Sequence, residues 1–165
     1  MNTKEYSSEQ IFKLLSEIPD PEIPVINIIE LGILREVKFV DEVCVVVITP
    51  TYTGCPAMKV IEDDIKIKLK EIGIDKVKVE LVLSPAWTTD WISDTAKEKL
   101  RAYGIAPPDH TSVDKKVLLG KARDLKCPLC GSKNTEMISQ FGSTACKALY
   151  RCLDCKEPFD YFKCL

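Results

Sequence analysis

Histidine is almost absent from this sequence: His110 is the only one in 165 residues. General-base catalysis and histidine-built metal sites therefore lack raw material, and neither a Ser-His-Asp set nor a His-carboxylate triad can be assembled. No glycine-rich phosphate loop occurs either. A cationic surplus is also missing, since 23 Lys plus Arg face 25 Asp plus Glu for a formal charge of −2. That balance argues against an extended nucleic-acid footprint. The N-terminal MNTKEYSSEQ has no apolar signal-peptide core. Apolar runs stay far below the ~18 residues that a membrane span needs. These absences predict a cytoplasmic protein with no independent catalytic activity, no membrane partner and no nucleic-acid substrate. The length suits one domain of about 100 residues plus a small module, and is too short for a barrel enzyme.

Cysteine is present in excess and unevenly placed. Cys44 and Cys55 lie in the first 125 residues, whereas Cys127, Cys130, Cys146, Cys152, Cys155 and Cys164 fall in the last 40. Without an export signal these read as thiols or metal ligands in a reducing compartment, not as disulfides. Cys127-Pro-Leu-Cys130 and Cys152-Leu-Asp-Cys155 form two C-x2-C pairs separated by 21 residues. Two residues between thiolates let a tight turn aim both sulfurs at one ion, and Gly131 relieves the backbone there. Two such turns joined by a hairpin make a four-sulfur zinc ribbon. Structural zinc is the favoured metal, and an iron-sulfur cluster is the alternative that four thiolates also suit. So small a module needs the metal to fold. Cys146 and Cys164 stay open: each could replace one of the four, hold metal or sulfur transiently, or simply pack.

The chain divides into residues 1–106, a linker at 107–125 and the cysteine module at 126–165. Ser7 to Gln10 has a capping-box pattern, followed by Ile11, Leu14, Leu15 and Ile18 at helical spacing. Pro19, Pro21 and Pro24 end that helix. Ile33–Val40 and Val43–Thr49 read as strands of a hairpin around Asp41-Glu42. A helix begins at Pro56, carries Met58, Ile61, Ile65, Leu69 and Ile72, and stops at Gly73. Residues 76–83 alternate as a half-buried strand, and a last helix runs from Ser93 to Tyr103. The fold class is thus α/β (α+β), a small mixed sheet in the order α-β-β-α-β-α, plus the zinc-ribbon-like module. Trp87 and Trp91 are expected to cover the sheet edge, and Asp90 to cap or bridge. In the linker, Lys115, Lys116, Lys121 and Arg123 form a modest basic patch, read as solvated, with His110 exposed beside it.

The chemistry of the first domain concentrates in Thr49-Pro50-Thr51-Tyr52-Thr53-Gly54-Cys55-Pro56, which leads from a central strand into a helix, a common place for α/β sites. Cys55 is expected at the helix N-cap, where the helix dipole would stabilise a thiolate as a nucleophile or soft-metal ligand. The hydroxyls of Thr51 and Thr53 could cap the helix or bond an acceptor. The competing reading makes Cys55 a buried cap residue without chemistry. Asp20 and Glu22, held between prolines, could bind a metal or merely fix a turn. Cys44, in an apolar strand, is read as inert packing.

DPEIPVINIIELGIL, TYTGCP and SPAW resemble the MIP18-like (DUF59) domain of iron-sulfur cluster assembly over residues 8–105. DWIS, KLRAYGIAPP and FGSTACKALYRCLDCKEPFDYFKC resemble the PaaD family of bacterial phenylacetate catabolism, which extends the likeness over almost the whole chain. The resemblance implies an accessory protein of a phenylacetyl-CoA epoxidase that contains a di-iron oxygenase and an iron-sulfur flavin reductase. It implies a role in maturing an iron-sulfur or iron centre, with a transient cluster or iron handled at the TGCP cysteine, Cys55. The Thr51, Thr53 and Gly54 turn and the acidic Asp20 and Glu22 would accompany it. A structural or electron-transfer component of the epoxidase, a protein- or nucleic-acid-binding ribbon, and a homodimer remain alternatives. The tail carries six Lys or Arg against four Asp or Glu, weak support for the nucleic-acid reading.

Overall fold

The computed structural model describes residues 6–108 and 125–163. His110, Lys115, Lys116, Lys121, Arg123 and Cys164 lie outside them. The chain forms two compact units, residues 1–87 and 88–165.

In the first unit, helix α1 (Ser8–Leu14) starts at the expected capping box: Ser7 Oγ accepts from the Gln10 N–H, and Gln10 Oε1 accepts from the Ser7 N–H. Its inward face buries Ile11, and Leu15 follows in a short 3-10 turn. Strands β1 (Leu34–Val40) and β2 (Val43–Ile48) form the antiparallel hairpin. Asp41 and Glu42 both take positive φ, 47° and 65°, the conformation a two-residue turn demands. Strand β3 (Val77–Leu81) pairs parallel to β2, so the sheet order is β1-β2-β3 and the sheet is mixed. β2 lies in the middle, with Cys44 to Ile48 all buried. Helix α2 (Ala57–Glu71) makes the crossover between these parallel strands and buries Met58, Ile61, Ile65 and Leu69, a stripe at helical spacing. The Trp87 indole is buried, and its N–H donates to the Leu31 carbonyl at 2.8 Å.

In the second unit, Thr88 caps a 3-10 turn at Thr89–Trp91 by accepting from the Asp90 N–H, so the capping oxygen comes from Thr88 and not from Asp90. Trp91 is half-buried. Ser93 caps helix α3 (Asp94–Ala102) through the Ala96 N–H. Strands β4 (Ile105–Ala106), β5 (Thr135–Ser139), β6 (Lys147–Cys152) and β7 (Pro158–Phe162) make a sheet in the order β4-β7-β6-β5. The junction expected after residue 106 falls inside this unit, because Ile105 and Ala106 pair parallel with Asp160 and Tyr161 of β7. The core is aromatic: Tyr150 stacks on Phe159 and meets Tyr161 edge-on, each at 5.9 Å between ring centroids. Ala106, Leu125, Cys127 and Cys152 close it.

Candidate functional sites: a four-sulfur knuckle pair and the Cys55 turn

The two C-x2-C pairs come together in the second unit. The first knuckle precedes β5, and the second joins β6 to β7. Each is closed by backbone bonds, from the Cys127 N–H to the Ser132 carbonyl at 2.8 Å and from the Cys152 N–H to the Glu157 carbonyl at 3.0 Å. Gly131 takes φ 79°, and the Gly131 N–H returns to the Cys127 carbonyl at 2.9 Å. A side chain at this φ would be strained, as the sequence anticipates. The second knuckle places Lys156 at φ 69° instead, without a glycine.

The sulfurs of Cys127, Cys130, Cys152 and Cys155 all lie within 4.8 Å of one another. Cys127 and Cys155 are 3.9 Å apart, and Cys130 and Cys152 3.5 Å. A tetrahedral ion with metal–sulfur bonds of about 2.3 Å needs sulfurs about 3.8 Å apart, so the set fits one ion. A cluster would interpose more than one iron and spread the sulfurs further. The Cys155 N–H, followed by the Asp154 N–H and the neighbouring thiols, favours the Cys152 thiolate and brings its pKa down to about 7, against the cost of burial. The Glu157 N–H favours the Cys155 thiolate, yet burial and the surrounding sulfurs push that thiol up to about 12. Cys130 is raised as well, its neighbouring thiols and burial outweighing the Ser132 N–H. An ion entering here displaces protons.

Ties across the two knuckles escaped sequence reasoning. The Asp154 carboxylate accepts from the Ser132 hydroxyl and from Asn134 Nδ2, the latter at 2.8 Å. These two bonds hold its pKa below the usual carboxylate range. The Leu153 N–H donates to the Asn134 carbonyl at 2.8 Å. Cys146 is buried at the start of β6, its sulfur 3.1 Å from Thr144 Oγ1, and is not one of the four grouped sulfurs.

The turn from β2 into α2 holds Cys55, half-buried. Pro56, and not Cys55, is the N-cap, and no side chain of Thr51 or Thr53 caps the helix. The Ala57 N–H does reach the Cys55 sulfur, and the Tyr52 hydroxyl donates to it. Burial outweighs both donors, and Glu22 and Asp20 add repulsion, so the thiol is raised. This corrects the expectation of a dipole-stabilised thiolate: the bare turn holds a thiol. Gly54, exposed at φ 81°, makes the bend, with Thr53 exposed beside it and Thr51 buried. Tyr52, three residues before Cys55, lies in the segment singled out in the sequence without a role assigned to it, and the Cys55 N–H bond to its carbonyl is an ordinary turn.

The DPE segment is brought to Cys55. Asp20 is buried, and its Oδ1 accepts from the Glu22 N–H at 2.9 Å and the Ile23 N–H at 2.8 Å. That is the turn-fixing role. Glu22 remains half-exposed. Thr49, which opens the segment singled out in the sequence, directly follows β2; it is fully buried, and its hydroxyl has no hydrogen-bond partner among the described residues. Cys44 is fully buried, with burial pushing its thiol up to about 11, consistent with packing. No helix among the described residues is long and apolar enough to cross a membrane.

Comparison with known proteins places these features in context. Residues 111–163 match the family model described as the PaaD zinc beta ribbon domain, and residues 8–81 the one described as iron-sulfur cluster assembly protein. A protein of Escherichia coli strain K12, described as a component of 1,2-phenylacetyl-CoA epoxidase, is 50% identical over 156 residues, covering 94% of this chain and 92% of its own. An Fe-S protein maturation auxiliary factor of Porphyromonas gingivalis is 34% identical over 96 residues, 57% of this chain and 90% of that one. A crystal structure of a DUF59 domain from Bacillus anthracis superposes with a TM-score of 0.52 and 27% identity, covering 56% of this chain and 90% of that one.

Proposed function

The chain belongs to the PaaD family of 1,2-phenylacetyl-CoA epoxidase components, and from that membership we propose that it is an accessory protein of this multicomponent enzyme. In this reading it assists the maturation of an iron-sulfur or iron centre in the enzyme's oxygenase or reductase component. The match to the iron-sulfur cluster assembly family and the likeness to a maturation factor support it. The observation that carries it is the juxtaposition of the Cys55 thiol with the Asp20 and Glu22 carboxylates. Carboxylates that oppose a bare thiolate attract a cation, and a cation in turn draws the proton from the thiol. Such a turn stays protonated when empty and becomes a ligand when iron is delivered, which is what transient handling requires. Cys55 is the transient ligand. Glu22 is the half-exposed carboxylate that faces the cargo, Asp20 sets the turn, and Thr51, Thr53 and Gly54 shape it.

The tail's four cysteines hold zinc in a structural role, a reading supported by sulfur spacing that suits one ion and by the ribbon family match. Metal and sulfide analysis of anaerobically purified protein tests this part. One zinc without a visible chromophore is expected, and iron with sulfide would overturn it. For the main reading, oxygenase and reductase are matured in cells that carry Cys55→Ser. Loss of cluster or iron content and of activity is expected, and full content with full activity refutes the proposal.

A further inference from the structure

A cleft of about 730 Å³ in the second unit borders the first knuckle, with Cys127, Pro128 and Gly131 in its wall. Its walls come from the end of α3, from Ala106 and Pro107, and from the segment that carries the first knuckle. Arg101, Lys126 and Lys133 line it, all three exposed, and among the described residues no Asp or Glu does. Among the described residues none of these cations pairs with a carboxylate. On α2, by contrast, Lys59 pairs with Asp63 and Lys66 with Glu62. Three cations without a carboxylate partner among the described residues thus converge on one cleft of a protein of net charge −2.

Two exposed apolar side chains follow cleft-lining residues closely in the chain, Leu129 after Pro128 and Tyr103 two residues after Arg101. Leu129, at the tip of the first knuckle, and Tyr103, just after α3, are each 55% exposed. Leu129 Cδ2 lies 3.9 Å from the place a Gly104 Cβ would occupy, so the knuckle tip meets the turn that carries Tyr103. A cationic cleft with exposed apolar anchors on the adjoining turns has the anatomy of a protein-binding hot spot, and charge complementarity selects the occupant. We propose that this face is a docking surface for an acidic segment of a partner protein, one that inserts an apolar side chain beside Leu129 and Tyr103. A small inorganic anion would leave both apolar residues in water. Nucleic acid calls for a longer basic track with stacked aromatics. Every residue of this surface belongs to the second unit, so its role does not depend on what Cys55 does.

The test measures fluorescence anisotropy of the full-length, metal-loaded protein with a labelled peptide of glutamates around a central Leu-Phe pair. The same peptide with glutamine for glutamate and a single-stranded DNA oligonucleotide serve as comparators. The acidic peptide should bind in a salt-sensitive manner, with the glutamine peptide at least tenfold weaker. Lys126→Glu with Lys133→Glu should lower affinity at least tenfold, and Leu129→Ser several-fold, at unchanged metal content. Arg101→Glu, on α3 and outside both knuckles, should also lower affinity, and keeps the test decisive where a knuckle variant loses its metal. Absent binding, affinity indifferent to all these variants, or tighter binding of the DNA would each overturn the proposal. Cys55→Ser should bind the peptide normally. If that variant also matures the epoxidase fully, the maturation reading falls while the docking surface stands.

Discussion

Asp20 offers a direct separation of scaffold from charge in the Cys55 turn. Its Oδ1 accepts the Glu22 and Ile23 N–H groups at 2.9 and 2.8 Å, and Asp20 and Ile23 are only 5% and 1% exposed. Asp20→Ala strips both donors of this acceptor. Glu22, half-exposed, can recover a water, but the Ile23 N–H is closed off from solvent. An unmet buried donor costs about 1–3 kcal/mol, so about 2–3 kcal/mol is expected once the weaker loss at Glu22 is included. For a unit of 87 residues, each kcal/mol moves the midpoint by about 4–8 °C, so the first unit's transition should fall by at least about 8 °C. Asp20→Asn keeps an oxygen at the same place and should stay within about 1 kcal/mol of the parent. It also removes a negative charge that raises the Cys55 thiol, so that thiol should ionise more readily and be alkylated faster at pH 8. Calorimetry and mass-resolved iodoacetamide labelling read both effects. An Asp20→Ala midpoint within about 2 °C of the parent, or slower Cys55 labelling in Asp20→Asn, would refute the reasoning.

Further outcomes follow from burial and charge. In the folded, metal-loaded protein iodoacetamide should label Cys55 well before Cys44, which is fully buried with its thiol pushed up to about 11; comparable rates would contradict that placement. A strong chelator should abolish the cooperative unfolding of the second unit, since structural zinc contributes about 10–16 kcal/mol of apparent binding energy in small modules. A near-ultraviolet circular dichroism spectrum unchanged by chelation would show that the ion is dispensable. Metal retention should weaken as pH falls, because the ion must displace protons from Cys130 and Cys155, whose thiols are raised. The Asp154 carboxylate is depressed, so its ties across the knuckles hold above its unfolded pKa and are lost as pH drops through the folded one. Asp154→Ala should accordingly release the metal at a higher pH than the parent, as a metallochromic dye would report.

Local signals carried the parts of the fold that local physics decides. The Ser7–Gln10 box, the Asp41-Glu42 turn and the Met58-to-Leu69 stripe each state their conformation within a few residues. The four sulfurs were equally legible, because C-x2-C spacing already constrains a turn. Properties set by distant parts of the chain were not. Ile105 and Ala106 pair with residues 55 positions downstream, and two residues carry no periodicity that would announce it. The Cys55 thiol was misjudged for a related reason: proximity to a helix start can be read locally, whereas burial and the Asp20 and Glu22 charges come from a turn more than 30 residues upstream. Thr88 displaced Asp90 as the capping residue because either side chain type can serve, and only the backbone path selects between them.

Strand β4 has a practical bearing on how the tail can be separated from the rest. A fragment beginning at Pro107 would contain every described metal-ligating cysteine, yet it would strip β7 of the partner that Ile105 and Ala106 provide. The backbone edge along Asp160 and Tyr161 would then be bare, in a strand whose Phe159, Tyr161 and Phe162 are buried in the whole chain. Exposed edges of that kind recruit other strands, and two such fragments would pair edge to edge. The ribbon excised at its family boundary should therefore self-associate, whereas one that starts at Thr88 retains its own edge guard.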